Sequence, residues 1–333
     1  MTLALVGHPL RNSRTKPMAR IGKWLDGFLF APDSDRWLAI LRVGLGFQIS
    51  LFCLSLQNDW NNLFAGEDGG FIRRDLTEAI VNIQSPFVPR LEWVVDFGSH
   101  VGLHEQTTLS LAWFVLLCAG CCLFAGLFSR IAAVTAWFLH LCALKSGNFL
   151  TYGMDNFTTI GLFYLMLSPL PDRYGLDARI FGPPNKDARL LGFFHRVLQL
   201  HVCIIYFFGG LTKSLGAGWW TGVSMWRALT RPPFDVIPAQ TLLAWEPILP
   251  FVGIAVCVIE VGYPLFIWWR RTRFIWLTSI LAMHIGIALA MGLYLFSSIM
   301  IVLNLSAFGP GLIHCDQVGM NKADVPGPVP LTS

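Results

Sequence analysis

Long apolar runs separated by short polar segments make up most of the chain after residue 35. A helix needs roughly 20 apolar residues to cross a bilayer, and fewer where other protein covers its ends. The pattern therefore predicts an all-α, polytopic membrane bundle of about eight transmembrane helices. We place these helices at residues 36–56, 107–128, 131–146, 156–170, 190–213, 248–269, 274–295 and 297–310.

The composition is that of an integral membrane protein, with 54% hydrophobic and only 13% charged residues. A mean hydropathy of +0.57 excludes an ordinary soluble domain. The 13 Trp residues suit a chain that meets two membrane–water interfaces. No basic tract interleaved with aromatic residues indicates nucleic-acid binding, so the expected partners are membrane lipids and partner membrane subunits.

The distribution of Lys and Arg predicts the orientation of the chain. With the amino terminus inside, the inner segments carry 15 of these residues and the outer segments carry seven. Cytoplasmic loops retain positive charge, which favours an N-in, C-in topology in the inner (plasma) membrane. Residues 1–35 are then a basic cytoplasmic arm with an interfacial helix, 36–310 the transmembrane domain and 311–333 a flexible cytoplasmic tail.

The fifth predicted helix combines an apolar run with a stripe of polar side chains. Steps of four and seven residues place His195, Gln199, Tyr206 and Lys213 on one helical face, and apolar residues fill the other faces. Polar groups are costly in lipid, so this stripe should face the protein interior or a wet cavity.

Lys213 lies at the predicted outer end of this helix, on the same side as the long loops 57–106 and 214–247. A desolvated lysine can lose its proton and act as a base near neutral pH. A lysine that snorkels to the interface has no chemical role, and the spacing leaves both interpretations open. Gly209 and Gly210, one turn earlier, leave room for another backbone or a ligand.

Further polar residues fall inside predicted helices, among them Arg42, Glu260 and His284. Arg42 stays charged and needs a partner, which Glu260 could supply in a structural or functional ion pair. His284 is central in the seventh helix, and a lone buried His more often hydrogen-bonds a neighbouring helix than binds a ligand. No HxxxH or HExxH spacing occurs within one helix, so we predict no metal site.

Cys118 and Cys121 form a CxxC motif inside the second predicted helix. On a redox protein this spacing carries dithiol chemistry, whereas a buried apolar Cys is usually an inert small hydrophobe. Seven of the eight Cys residues lie in apolar segments, so we expect no disulfide framework.

The segment KSGNFLTYGMDN, residues 145–156, connects the third and fourth predicted helices on the outer side. Its Asn148 and Tyr152 could complete an external pocket with Lys213. An ordinary polar turn would explain the same residues, and the sequence leaves both possibilities open.

The segment YFFGGLTKSLGAGWWTGVSM, residues 206–225, resembles the vitamin K-dependent gamma-carboxylases and the wider HTTM (horizontally transferred transmembrane) family. That pattern has a Tyr, a small-residue pair and a Lys, followed by a Trp and a Gly. It is matched here by Tyr206, Gly209, Gly210, Lys213, Trp219 or Trp220, and Gly222. Similar segments in the same order extend the resemblance over roughly residues 33–310; they are DRWLAILRVGLG, NFLTYGMDNF, EVGYPLFIW and MHIGIALAMGLYLFSSIMIVLNL.

The resemblance implies an all-helical membrane fold with a polar cavity on the lumenal or periplasmic side. It also implies that Lys213 acts as a base on a reduced quinone, whose oxygenation in the carboxylase yields a stronger base that deprotonates a glutamyl side chain. A His near the YG loop of the carboxylase corresponds to Asn148 here.

The leading hypothesis is a membrane-embedded enzyme that acts on a quinol or similar lipid, with Lys213 as base. Its supporting residues orient the ligand, bind an oxyanion or cover the site; they are Asn148, Tyr206, His284, Trp219, Trp220, Gln199 and Tyr152. The alternative is a non-catalytic accessory or scaffold subunit of a larger membrane complex, in which Lys213 only anchors an interface. A weaker alternative is a thiol–disulfide or peptide-maturation factor that uses Cys118 and Cys121.

Overall fold

The structure is a computed structural model that describes residues 15–66, 74–147 and 150–313. Within these ranges the chain forms helices and loops, with no strand. The predicted flexible tail from residue 314 and the first 14 residues of the basic arm lie outside them. In chain order the α-helices are α1 (Thr15–Leu29), α2 (Arg36–Ser55), α3 (Trp60–Phe64), α4 (Arg74–Gln84), α5 (Leu91–His100), α6 (Glu105–Ala125), α7 (Ser129–Ser146), α8 (Gly153–Leu167), α9 (Leu176–Phe181), α10 (Ala188–Ser214), α11 (Ala217–Trp220), α12 (Val223–Thr230), α13 (Ala239–Ala244), α14 (Leu249–Phe266), α15 (Arg270–Met291), α16 (Tyr294–Phe308) and α17 (Pro310–Ile313).

Helices occupy all eight predicted transmembrane positions, and their ends differ from the predicted ends by at most four residues. Five segments are long and apolar enough to cross a membrane; these are α2, α6, α10, Glu246–Phe266 and α15. Helix α16 is apolar but shorter, and α7 and α8 are not among the five. The structure thus confirms an all-α chain with several helices suited to a membrane.

Two helices end before their apolar runs do because a glycine follows each of them. Gly126 (φ 74°) follows α6, and Gly292 (φ 68°) follows α15. A residue with a Cβ is strained at these φ values, so glycine is the residue that most readily ends a helix there. The predicted helices at 107–128 and 274–295 are therefore too long at their carboxyl ends.

The two longest predicted loops, 57–106 and 214–247, contain short helices. The first contains α3, α4 and α5, and the second contains α11, α12, α13 and a 3₁₀ helix at Glu246–Ile248. A Cβ on Gly253 of α14 would lie 2.3 Å from the Trp219 carbonyl oxygen. The second loop therefore packs directly against α14.

Helix α2 forms the centre of the core and packs against α6, α8 and α16. Leu38, Leu41, Leu45 and Ile49 follow one another at helical spacing and are fully buried. The crossing with α6 is close because α2 has no side chain at Gly46, where a Cβ would lie 2.3 Å from the backbone nitrogen of Phe124. Small residues at such crossings let membrane helices approach closely.

Arg42 pairs with Asp172 and not with Glu260, so that prediction is wrong. Its Nε lies 2.5 Å from Asp172 Oδ2, and both side chains are almost completely buried. The guanidinium also donates to the carbonyl oxygens of Leu123 and Phe124 at the end of α6. The loop after α8 returns to the start of α2 and brings the carboxylate there, whereas Glu260 is already paired with Lys213 at another site.

The Gly46 crossing can be tested against a helical glycine with open space around it. We expect Gly46→Ala to destabilise the protein by about 1–3 kcal/mol, because the added methyl group must displace the α6 backbone. Gly286→Ala on α15 should be neutral or stabilise by up to about 1 kcal/mol, because its Cβ meets nothing within 4 Å and alanine favours helix. Thermal unfolding of the purified variants in detergent measures both effects, and equal shifts would contradict the packing described.

Candidate functional site

The carboxyl-terminal end of α10 carries an ion pair between two helices. Lys213, in the last turn of α10, places its Nζ 2.6 Å from Oε2 of Glu260 on α14. The Glu260 side chain is 8% exposed and that of Lys213 is 28% exposed. The ammonium therefore points at a nearly buried carboxylate and keeps limited access to the surroundings.

Two glycines on α10 make this approach possible. A Cβ on Gly210 would lie 2.7 Å from the backbone nitrogen of Val261, so only glycine lets α14 come this close. A Cβ on Gly209 would lie 3.5 Å from Glu260 Oε2 and 3.7 Å from Lys213 Nζ. The prediction that these glycines admit another backbone is confirmed at Gly210, which α14 approaches.

Trp219 covers the ammonium group. Lys213 Nζ lies 5.6 Å from the centroid of its ring, within the range of a cation–π contact. Trp220 does not take part, because its side chain is about half exposed and its Nε1 donates to the Ser214 carbonyl oxygen at 2.8 Å. Of the two tryptophans predicted to form a lid, only Trp219 lies over Lys213.

A second polar cluster lies deeper in the bundle and joins four helices. Tyr206 Oη on α10 is 2.8 Å from His284 Nε2 on α15 and 2.6 Å from Asn304 Nδ2 on α16. Tyr263 of α14 donates its hydroxyl to Asn304 Oδ1 at 2.6 Å. All four side chains are buried, so the predicted site residues Tyr206 and His284 are brought together here.

The hydrogen bonds of this cluster define the tautomer of His284. Asn304 Nδ2 donates to the Met300 carbonyl oxygen at 2.7 Å, which fixes the orientation of the amide. Its other hydrogen points to Tyr206 Oη, so the Tyr206 hydrogen goes to His284 Nε2. A neutral His284 then carries its hydrogen on Nδ1, which is buried and has no partner in the described part of the chain.

The sequence did not single out Tyr263 and Asn304 as site residues. Tyr263 follows Glu260 by three residues and therefore shares its helical face. Asn304 is an amide within the apolar segment IMIVLNL. An isolated amide inside an apolar helix is itself a signal, because it must find a partner within the bundle.

Gln199 lies far from Lys213, although both belong to the same buried stripe. Fourteen residues separate them, which is about 21 Å along a helix. Gln199 Nε2 donates to the Ala307 carbonyl oxygen at 2.6 Å, and the His195 ring contacts the same carbonyl at 2.8 Å. The stripe faces the interior as predicted, but its two ends belong to different sites.

His195 also contacts a carboxylate at this end of α10. Its Nδ1 lies 2.7 Å from Asp33 Oδ2. Burial by itself would raise the pKa of Asp33, but the hydrogen bond and charge of His195 outweigh it, and the pKa is lowered. Both ring nitrogens of His195 face oxygen atoms, Asp33 Oδ2 at Nδ1 and the Ala307 carbonyl oxygen at Nε2.

Tyr152 belongs to a third location. It lines a cavity of about 270 Å³ between α2, α3, α7 and α8, together with Phe64, Asp155 and Leu295. Burial, helped by the Asp155 carboxylate, raises the pKa of Tyr152 to about 12. Lys213 does not line this cavity, so the predicted pocket shared by Tyr152 and Lys213 is wrong. Asn148 lies outside the described residues.

The CxxC cysteines are free thiols on the exposed surface of α6. Cys121 Sγ lies 3.8 Å from Ser50 Oγ of α2. Among the residues that the structure describes, no group of three or more His, Cys, Asp or Glu side chains has a metal-binding arrangement.

Comparisons of the chain with protein-family models, curated proteins and solved structures found no match.

The ion pair makes a prediction about stability. We expect Lys213→Met to leave the Glu260 carboxylate unpaired and nearly buried. The free energy of unfolding should fall, but by less than the roughly 3–5 kcal/mol of a fully buried pair, because Lys213 keeps some exposure.

The double variant Lys213→Met/Glu260→Leu should recover most of that loss, because no charge is left behind. Tryptophan fluorescence during thermal unfolding in detergent compares the two variants. A double variant that is no more stable than the single one would show that the pair is not coupled.

Proposed function

We propose that the protein is a membrane-embedded enzyme that acts on a quinol or a similar lipid, with Lys213 as the base. The observation that carries this proposal is the Lys213–Glu260 pair, with a nitrogen–oxygen distance of 2.6 Å. Gly209 places no side chain against the pair, and Trp219 provides an aromatic surface over it. The resemblance of residues 206–225 to the HTTM family supports the same role, and on this proposal the chain is a distant member of that family.

Glu260 is a proton acceptor for Lys213, which must lose a proton before it can act as a base. A lysine accepts a proton only as a neutral amine, and the Glu260 carboxylate is close enough to take the ammonium proton. Charge separation is costly near lipid, so the neutral amine–acid pair is more accessible there than in water. The amine can then accept the proton of a quinol hydroxyl, which leaves a quinolate beside the ammonium.

The deeper cluster would bind the other end of the ligand. Tyr206 lies two turns before Lys213 on α10, and the Nδ1 hydrogen of its partner His284 lacks a described acceptor. A hydroxyl oxygen of a quinol is an acceptor of the kind this donor requires. Asn148, outside the described residues, remains a further ligand-orienting residue of the proposal.

The proposal includes eight membrane crossings with both termini on the cytoplasmic side of the inner membrane. It is supported by helices at all eight predicted positions and by the excess of Lys and Arg in the inner segments. In this topology the Lys213–Glu260 pair opens toward the periplasmic side.

Quinol consumption by the purified protein tests the role of Lys213. The wild-type chain in lipid nanodiscs receives menaquinol or ubiquinol under air, and the loss of quinol and the products formed are followed by absorbance and mass spectrometry. We expect Lys213→Arg to lower the rate by about 100-fold or more, because arginine keeps the charge but does not act as a base.

Lys145→Arg is the matched control, because Lys145 also lies in the last turn of a helix, α7. Its rate should equal that of the wild type. Equal rates for wild type and Lys213→Arg would reject Lys213 as the base, and bound lipid extracted from each variant would show whether binding is retained.

The alternative is a non-catalytic subunit of a larger membrane complex. The observation that favours it is the exposure of α15. Only 17% of the most apolar stretch of this helix is buried. Its exposed residues include Phe274, Ile275 and Leu289, a surface that a partner helix could cover. Purification in mild detergent separates the two proposals: a stoichiometric partner and no bound quinone support the subunit, whereas bound quinone without a partner supports the enzyme.

A further inference from the structure

A cavity of about 530 Å³ lies at the opposite end of α10 from Lys213. Its wall is formed where α2, α10 and α15 begin and where α16 meets α17. His195 lines this cavity and is 18 residues from Lys213, or about 27 Å along the helix. The cavity is therefore separate from the proposed active site.

The wall of this cavity carries an excess of positive charge. Four guanidinium groups line it, those of Arg36, Arg173, Arg196 and Arg273. Among the described residues of the wall, Asp33 is the one carboxylate, and it is already hydrogen-bonded to His195.

The arginines differ in how they are held. Arg173 pairs with the buried Asp35 at 2.8 Å. Arg36, the first residue of α2, forms no hydrogen bond or ion pair with a described residue, and it is only partly exposed. Arg36 is thus a cationic group in the wall whose donors are available to a ligand.

Arg196 is fixed by neutral groups. Its guanidinium lies 5.0 Å from the Phe28 ring centroid and 5.5 Å from that of Trp268. One of its nitrogens donates to the Gln199 side-chain oxygen at 2.8 Å. These contacts hold the group in position, so it does not have to be ordered again when a ligand binds, and the nearby Asp33 carboxylate offsets part of its charge.

Arg273 is positioned by the backbone. Its Nε and Nη2 donate to the carbonyl oxygens of Ile267 and Trp268, both at 3.1 Å. Its guanidinium also passes close to α17, where a Cβ on Gly311 would lie 2.1 Å from Nη1. Glycine at this position therefore lets the side chain lie in the cavity wall.

We propose that this cavity binds a phosphate ester. Guanidinium groups match phosphate oxygens with paired hydrogen bonds. Three helices suited to a membrane, α2, α10 and α15, begin at the cavity, which places it at the level of lipid headgroups. An anionic phospholipid headgroup and a soluble phosphate ester share this chemistry, and the experiment below distinguishes them.

Native mass spectrometry on the full chain in detergent tests the proposal with three probes. These are dioleoyl phosphatidylglycerol, dioleoylglycerol with the same acyl chains but no phosphate, and glycerol 3-phosphate. The wild type should bind the phosphatidylglycerol at least about tenfold more tightly than dioleoylglycerol. Arg36→Gln and Arg196→Gln should each weaken that binding by about tenfold, because each removes a charge-assisted contact.

Arg189→Gln is the matched control. Arg189 lies on the same helix, is more than half exposed, pairs with Asp26 and does not line the cavity. The affinity of Arg189→Gln for phosphatidylglycerol should equal that of the wild type. If Arg196→Gln fails to fold, Arg36→Gln still decides the question, because Arg36 loses no described hydrogen bond, and thermal unfolding of each variant checks the fold.

The competitor identifies the source of the phosphate. Phosphatidylglycerol binding that glycerol 3-phosphate does not displace supports a lipid headgroup. Glycerol 3-phosphate binding with the same dependence on Arg36 and Arg196 supports a soluble ester. The proposal is overturned if the wild type binds neither phosphate compound better than dioleoylglycerol, or if both Arg36→Gln and Arg196→Gln keep wild-type affinity. It is also overturned if Arg189→Gln loses as much affinity as those two variants.

Discussion

Polar side chains on the apolar helices must find their partners within the bundle, because the hydrocarbon region of a bilayer offers none. Arg42 meets this requirement with Asp172, and Lys213 meets it with Glu260. His140 does so with Thr159, which links α7 to α8. The Lys213–Glu260 and His140–Thr159 contacts each join two helices, and Arg42–Asp172 joins α2 to the loop after α8.

Helix α10 makes polar side-chain contacts with four other helices. It contacts α14 through Lys213, α15 and α16 through Tyr206, and α8 through His201, whose Nδ1 lies 2.6 Å from Tyr164 Oη. Its amino-terminal half faces a wall rich in arginine and its last turn meets a carboxylate. One helix thus presents two sites of different chemistry to opposite ends of the bundle.

The sequence predicted the positions of the helices because apolar runs report burial in lipid or protein directly. It also predicted that the stripe from His195 to Lys213 faces inward, since helical periodicity alone determines that. It did not predict the partners, because Arg42 and Asp172 are 130 residues apart and their contact depends on the arrangement of the whole bundle. The cluster of Tyr263 and Asn304 with Tyr206 was missed for the same reason.

The length of α10 couples the protein to the thickness of its membrane. Twenty-seven helical residues extend about 40 Å, whereas the hydrocarbon core of a bilayer is about 30 Å thick. A helix of this length tilts when the bilayer thins and becomes more upright when the bilayer thickens. His195 and Lys213 lie near the two ends of this helix. A change in lipid composition would therefore reorient both ends together, even when no ligand is bound at either end.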